Sequence, residues 1–143
     1  MCFYLQTKNR KMKIATEDIL CLKQLNREGH YYNAIHYYIP YFTEYRKTPL
    51  ELEVENFSRS SNQINKGLHT FCHTNARNYQ EFNKYYRRYT FKAIIPKGTK
   101  FYYNSDKGEY VSLKIIVEPV PLNESEIKKL SRKAKLQQKR LFN

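Results

Sequence analysis

The chain has 143 residues, with 26 Lys and Arg against 13 Asp and Glu and a formal net charge of +13. That length suits one domain that buries a core without disulfide staples, and no apolar run approaches the ~20 residues of a membrane span. The charge favours a polyanionic partner, either nucleic acid or a phosphorylated small molecule, although lysine also serves plain solubility.

Cys2, Cys21 and Cys72 are odd in number and scattered, which points away from a disulfide framework and towards a reducing compartment. A cytoplasmic place, in a bacterium or a phage-infected host cell, is the expectation. The opening residues are too short an apolar stretch for a signal peptide.

Residues 2–6 read as a short strand. Asp18 to Leu25 is apolar on both faces, as in a buried central strand, and Arg27-Glu28-Gly29 ends it. From His30 to Tyr45 six tyrosines surround Pro40, which argues against one long helix and for an aromatic loop or two short strands. Glu51, Glu53 and Glu55 alternate with Leu52 and Val54, as in an edge strand or the start of a short helix. Residues 58–65 are polar and read as a loop.

Gly67 to Phe71 reads as a strand entry. A helix over 75–88 follows, with Ala76, Tyr79, Phe82 and Tyr86 on one stripe. Thr90 to Ile95 and Lys100 to Tyr103 read as strands, separated by a Pro96-Lys97-Gly98 turn. Glu109 to Val117 reads as one strand, with Glu109, Val111, Leu113, Ile115 and Val117 on a single face. The last unit is a basic helix within 121–143. Asn123 and Glu126 form its capping box, Ile127, Leu130, Ala134 and Leu141 its apolar stripe. Seven Lys or Arg and no acid lie between Lys128 and Arg140.

The expected fold is therefore α+β, within one domain over 1–120 followed by the basic helix. It has a mixed, mostly antiparallel sheet, one central helix and the C-terminal helix.

Glu109 is the first candidate for chemistry. A carboxylate at the start of an apolar strand face sits either at a cleft mouth or in solvent. At a cleft it can bind a ribose hydroxyl and stabilise an oxocarbenium ion. His69, Cys72 and His73 are donor types that suit zinc, but three ligands so close are sterically awkward, and no metal is expected. Between Arg77 and Lys92 basic and aromatic residues interleave. Arg77, Lys84, Tyr85, Arg87, Arg88 and Tyr89 there, with Lys128, Lys129, Arg132 and Lys133 on the tail, are the candidate contacts to phosphates and bases. The simpler alternative is an amphipathic helix with its tyrosines in the core.

Gly67-Leu68-His69-Thr70-Phe71, then Ala76 and Tyr79, then Glu109-Tyr110-Val111 resemble, in order, the core of the poly-ADP-ribose-polymerase-like ADP-ribosyltransferases. In that branch a Gly-Ile-Tyr-Phe-Ala segment precedes a helix, and a later strand begins Glu-Tyr-Ile-Val. The resemblance implies a nucleotide cleft that takes NAD and transfers its ADP-ribose. His69 would lie near the nicotinamide, Tyr79 would form a second aromatic wall, and Glu109 would be catalytic. The family's first-strand His-Gly-Thr or Arg has no counterpart here; Lys23 is the nearest candidate for ribose anchoring. The whole chain also resembles short bacterial and phage proteins that open with Met-Cys and carry segments like Ala15-Thr16-Glu17-Asp18-Ile19 and Ile94-Ile95-Pro96-Lys97-Gly98. That resemblance implies no particular activity. Two other functions stay open: a non-enzymatic accessory protein that binds nucleic acid or a signal nucleotide, and a virion or assembly protein.

Overall fold

A computed structural model of the chain describes residues 3–4, 11–34, 40–60, 63–72, 88–105 and 108–142. Its architecture is α+β, a mostly antiparallel sheet with one C-terminal helix. The strands are β1 (Phe3–Tyr4), β2 (Lys13–Ile14), β3 (Ile19–Glu28), β4 (Tyr31–Asn33), β5 (Pro40–Thr43), β6 (Leu50–Glu53) and β7 (Ser58–Ser60). They continue with β8 (Gln63–Lys66), β9 (Leu68–Phe71), β10 (Arg88–Ile95), β11 (Lys100–Asn104), β12 (Glu109–Ser112) and β13 (Lys114–Val117), and α1 spans Glu124–Phe142.

Among the described residues the main sheet has ten strands, with the order β2-β11-β12-β9-β3-β10-β13-β6; β4 attaches to β3, and β5 to β4. β3 is central, as its two-sided apolar pattern requires, and pairs with β10 along Ile19–Asn26. The aromatic stretch takes the two-strand alternative, β4 and β5, and β6 is the edge strand.

β12 and β13 are separated in sequence by Leu113 alone, yet β9, β3 and β10 lie between them in the sheet. Four strand spacings of a flat sheet are about 19 Å, far beyond the reach of one residue. The sheet therefore curls until β12 and β13 meet end to end. At that corner the Leu113 N–H donates to the Lys100 carbonyl (3.1 Å), and the Leu113 carbonyl accepts from the Val54 N–H (2.8 Å).

The curl corrects the single-strand reading of Glu109 to Val117. Tyr110 faces the main core from β12, whereas Ile115 and Val117 face it from β13, so the alternation changes phase at Leu113. Val111 belongs to a smaller cluster with Ile64 and Tyr102, packed against Phe57. Glu109 thus shares a face with Val111 but not with Ile115 and Val117.

Two further expectations are corrected. Residues 58–65 contain the hairpin β7–β8, which joins β1 in a three-stranded sheet. Its strands are polar in sequence, and Ile64 is the apolar residue they give to the small cluster. Arg88, expected at the end of a helix, begins β10 and pairs with Asn26. Backbone pairing along β3 outweighs the helical stripe there; residues 73–87, the body of the expected helix, lie outside the described residues.

α1 starts with the expected capping box. The Glu126 N–H donates to Asn123 Oδ1 (2.8 Å), and the Asn123 N–H donates to Glu126 Oε1 (3.0 Å). Ile127 and Ala134 are buried. The helix is seated on the domain by its last turn, where Phe142 stacks on Tyr103 with ring centres 4.6 Å apart. Gln137 fixes the register. Its Oε1 accepts from the Leu20 N–H (2.7 Å), and its Nε2 donates to the Asp18 carbonyl (2.7 Å).

Candidate functional site

Register decides which sequence candidates share a surface. β12 pairs with β9 through Glu109–Phe71 and Val111–His69, and with β11 through Asn104–Glu109 and Tyr102–Val111. Directly paired residues point to the same side of a sheet, and alternate residues share a face. Phe71, Glu109 and Asn104 thus form one cross-strand row, and His69, Val111 and Tyr102 the next. His69 and Glu109 are diagonal neighbours on the face opposite Tyr110. Burial cuts across the rows: Asn104, Val111 and Tyr102 are buried, while His69, Phe71 and Glu109 are half-buried.

Gly67 allows this packing. Its φ is 155°, and a Cβ at that position would stand 2.3 Å from Val111 Cγ2. Only glycine permits the chain to enter β9 so close to β12.

Lys23 stands on the third strand of the group, since β3 lies next to β9. The two strands are bridged at Leu22–Phe71. Leu22 therefore shares the face of Glu109, while Lys23 alternates to the main-core face with Cys21 and Leu25. Its ammonium donates to the His69 carbonyl (2.7 Å) and lies 5.6 Å from the centre of the Tyr41 ring. The charge thus fills the place of a ladder donor where β3 and β9 part. Burial lowers its pKa to about 8, and the nearby Cys21 thiol opposes that shift.

The thiols are held in the neutral form. Burial pushes Cys21 up to about 12 and Cys72 up to about 11. Cys72 belongs to the main core, on the opposite side from His69, so these two do not converge as metal ligands. His73 lies outside the described residues, and among the described residues no group of three metal donors forms.

The sheet brings His69 and Glu109 together and sets Lys23 behind them. Tyr79, Arg77, Lys84, Tyr85 and Arg87 lie outside the described residues. Tyr89 packs against the core, edge-on to Tyr32 with ring centres 5.7 Å apart. Lys128, Lys129, Arg132 and Lys133 are exposed on α1.

Sequence reasoning missed Asn104, the last residue of β11. The signal was its position two residues after Tyr102 on an alternating strand. It also missed a surface network where the β3–β4 turn meets the end of β5. There Glu44 pairs with Arg27, its Oε1 lies 2.5 Å from His30 Nδ1, and the Tyr45 hydroxyl lies 3.2 Å from the same nitrogen. The hydrogen bond with His30 is the main cause that lowers the Glu44 pKa.

No family model, curated protein or solved structure matches this chain. Among the described residues no helix is long and apolar enough to cross a membrane.

Proposed function

We propose that the β11–β12–β9 face is a nucleotide site of ADP-ribosyltransferase-like architecture, which takes NAD and transfers its ADP-ribose. The observation that carries this reading is the position of Glu109 and His69 as diagonal neighbours on one face of adjacent strands. The Glu109 carboxylate binds a ribose hydroxyl and stabilises positive charge as the bond from C1′ to nicotinamide breaks. Nicotinamide leaves with the electron pair. The acceptor then bonds to C1′ and releases its proton. His69 contacts the nicotinamide side, and Asn104, buried beside Glu109, orients the carboxylate or the ribose. Lys23 does not face the ligand; it holds the His69 backbone through its carbonyl.

Radiolabelled NAD incubated with the protein and a cell lysate tests the chemistry, and calorimetry tests binding. Glu109→Gln is expected to lower transfer by about 100-fold or more, as does loss of one charge-stabilising group elsewhere, while the melting temperature stays the same. Equal transfer by wild type and Glu109→Gln overturns the catalytic role. Absence of NAD binding by the wild type overturns the site.

A further inference from the structure

The exposed side of α1 carries its cations in an order that the net charge alone does not require. Lys128, Arg132, Lys135 and Lys139 recur at steps of four, three and four residues, and all are exposed. At 3.6 residues per turn they form one ridge about 16 Å long. Lys13 extends it beyond the helix, because its ammonium lies 5.8 Å from the centre of the Phe142 ring, one turn past Lys139.

One acid meets the ridge on the helix, and another holds the opposite flank. Glu124 pairs with Lys128 at 3.5 Å, at the start of the ridge. Glu17 takes Arg140 and Gln137 on the opposite flank of the helix. Arg132, Lys135 and Lys139 form no ion pair with the described residues. Three uncompensated cations in a row repel one another, so the ridge favours a partner that supplies negative charge at similar intervals.

The apolar side of α1 excludes a lipid surface as that partner. Ile127 and Ala134 are buried, Leu141 and Phe142 pack on the core, and Leu136 is the exposed large apolar residue of the helix. No amphipathic face is left to enter a bilayer. A polynucleotide fits better, since it presents regularly spaced phosphates and requires no apolar contact. The ridge holds only Lys and Arg, which grip phosphates and read no bases.

We propose that this ridge is a sequence-blind docking surface for the phosphate backbone of a nucleic acid. The proposal is independent of the NAD reading. Fluorescence anisotropy with short labelled duplexes of two unrelated sequences, titrated over about 50 to 200 mM salt, tests it. Both duplexes should bind equally, with a log–log salt slope of about −3 to −4 for the four cations Arg132, Lys135, Lys139 and Lys13, Lys128 being paired with Glu124. The triple variant Arg132→Gln, Lys135→Gln, Lys139→Gln should bind about tenfold more weakly or worse, with a slope smaller by about 2.7. A control triple variant, Lys47→Gln, Lys66→Gln, Lys97→Gln, removes the same charge from exposed positions elsewhere and should keep most of the slope. Circular dichroism melts confirm that both variants fold. The proposal is overturned if the wild type ignores both duplexes at low salt, if the two triple variants weaken binding equally, or if phosphatidylserine vesicles outcompete the duplex at equal salt.

Discussion

On one face of β9 and β12, Thr70, Tyr110 and Ser112 have no solvent exposure; on the other, His69, Phe71 and Glu109 are half-buried. The first face meets the main core, where Phe101, Tyr103 and Phe142 pack around Tyr110. The second is anchored by a small cluster of Ile64, Tyr102 and Val111. The same two strands thus carry a face that decides stability and a face with polar side chains at its margin. Substitutions on the first should cost folding energy. Those at the margin of the second should leave the fold intact and change what the surface binds.

The largest expected effect is at Tyr110. Tyr110→Ala empties a fully buried aromatic site and should cost about 3–5 kcal/mol. Glu109→Gln, its chain neighbour, keeps the shape of the side chain and should cost far less, about 1 kcal/mol or below. Urea denaturation of both variants measures the contrast, and comparable losses would break the distinction between the faces. Tyr110→Phe sharpens it. Among the described residues the buried hydroxyl oxygen has no hydrogen-bond partner, so its removal should raise stability by about 1 kcal/mol.

The next effect lies where the faces meet. Gly67→Ala drives a Cβ into Val111 Cγ2 and should cost about 2–3 kcal/mol by overpacking and backbone strain. Combined with Val111→Ala it should cost less than the sum of the single changes, because the truncated side chain makes room. Strict additivity in a double-mutant cycle would show that the close approach is not the cause.

Much of the fold was legible in the sequence, for local reasons. β3 carries two-sided apolar residues, Pro96-Lys97-Gly98 marks a turn, and Asn123 with Glu126 announces α1. The break at Leu113 was hidden, because no Gly or Pro marks it and apolar residues continue on both sides. It becomes visible only when β12 and β13 find different partners. The β7–β8 hairpin was hidden because its sequence is polar around Ile64, which enters the small cluster. Glu109 and His69 were each legible as candidates, but their shared face depends on a register between strands distant in sequence. Lys23 read as the nearest candidate for ribose anchoring; its bond to the His69 carbonyl needed the sheet order.

The smallest effect concerns Lys23, which supports the half-buried face from the core side. Its folded pKa of about 8 lies below the ordinary 10.5, so between those values the unfolded chain holds a proton that the folded chain lacks. Stability from this group therefore rises with pH across that window, by at most about 1.4 kcal/mol per pH unit. The penalty is full below pH 8 and relieved as the ammonium loses its proton. Cys21 and Cys72 act oppositely, because their raised pKa values make the folded chain retain protons that the unfolded chain releases above 9.0. Lys23→Met removes the lysine contribution and keeps both thiols. The stability of wild type minus that of Lys23→Met should climb by about 1–2 kcal/mol from about pH 8 to about pH 9.5 in urea titrations. A flat difference would mean that water reaches the ammonium and that the His69 backbone is held by the sheet alone.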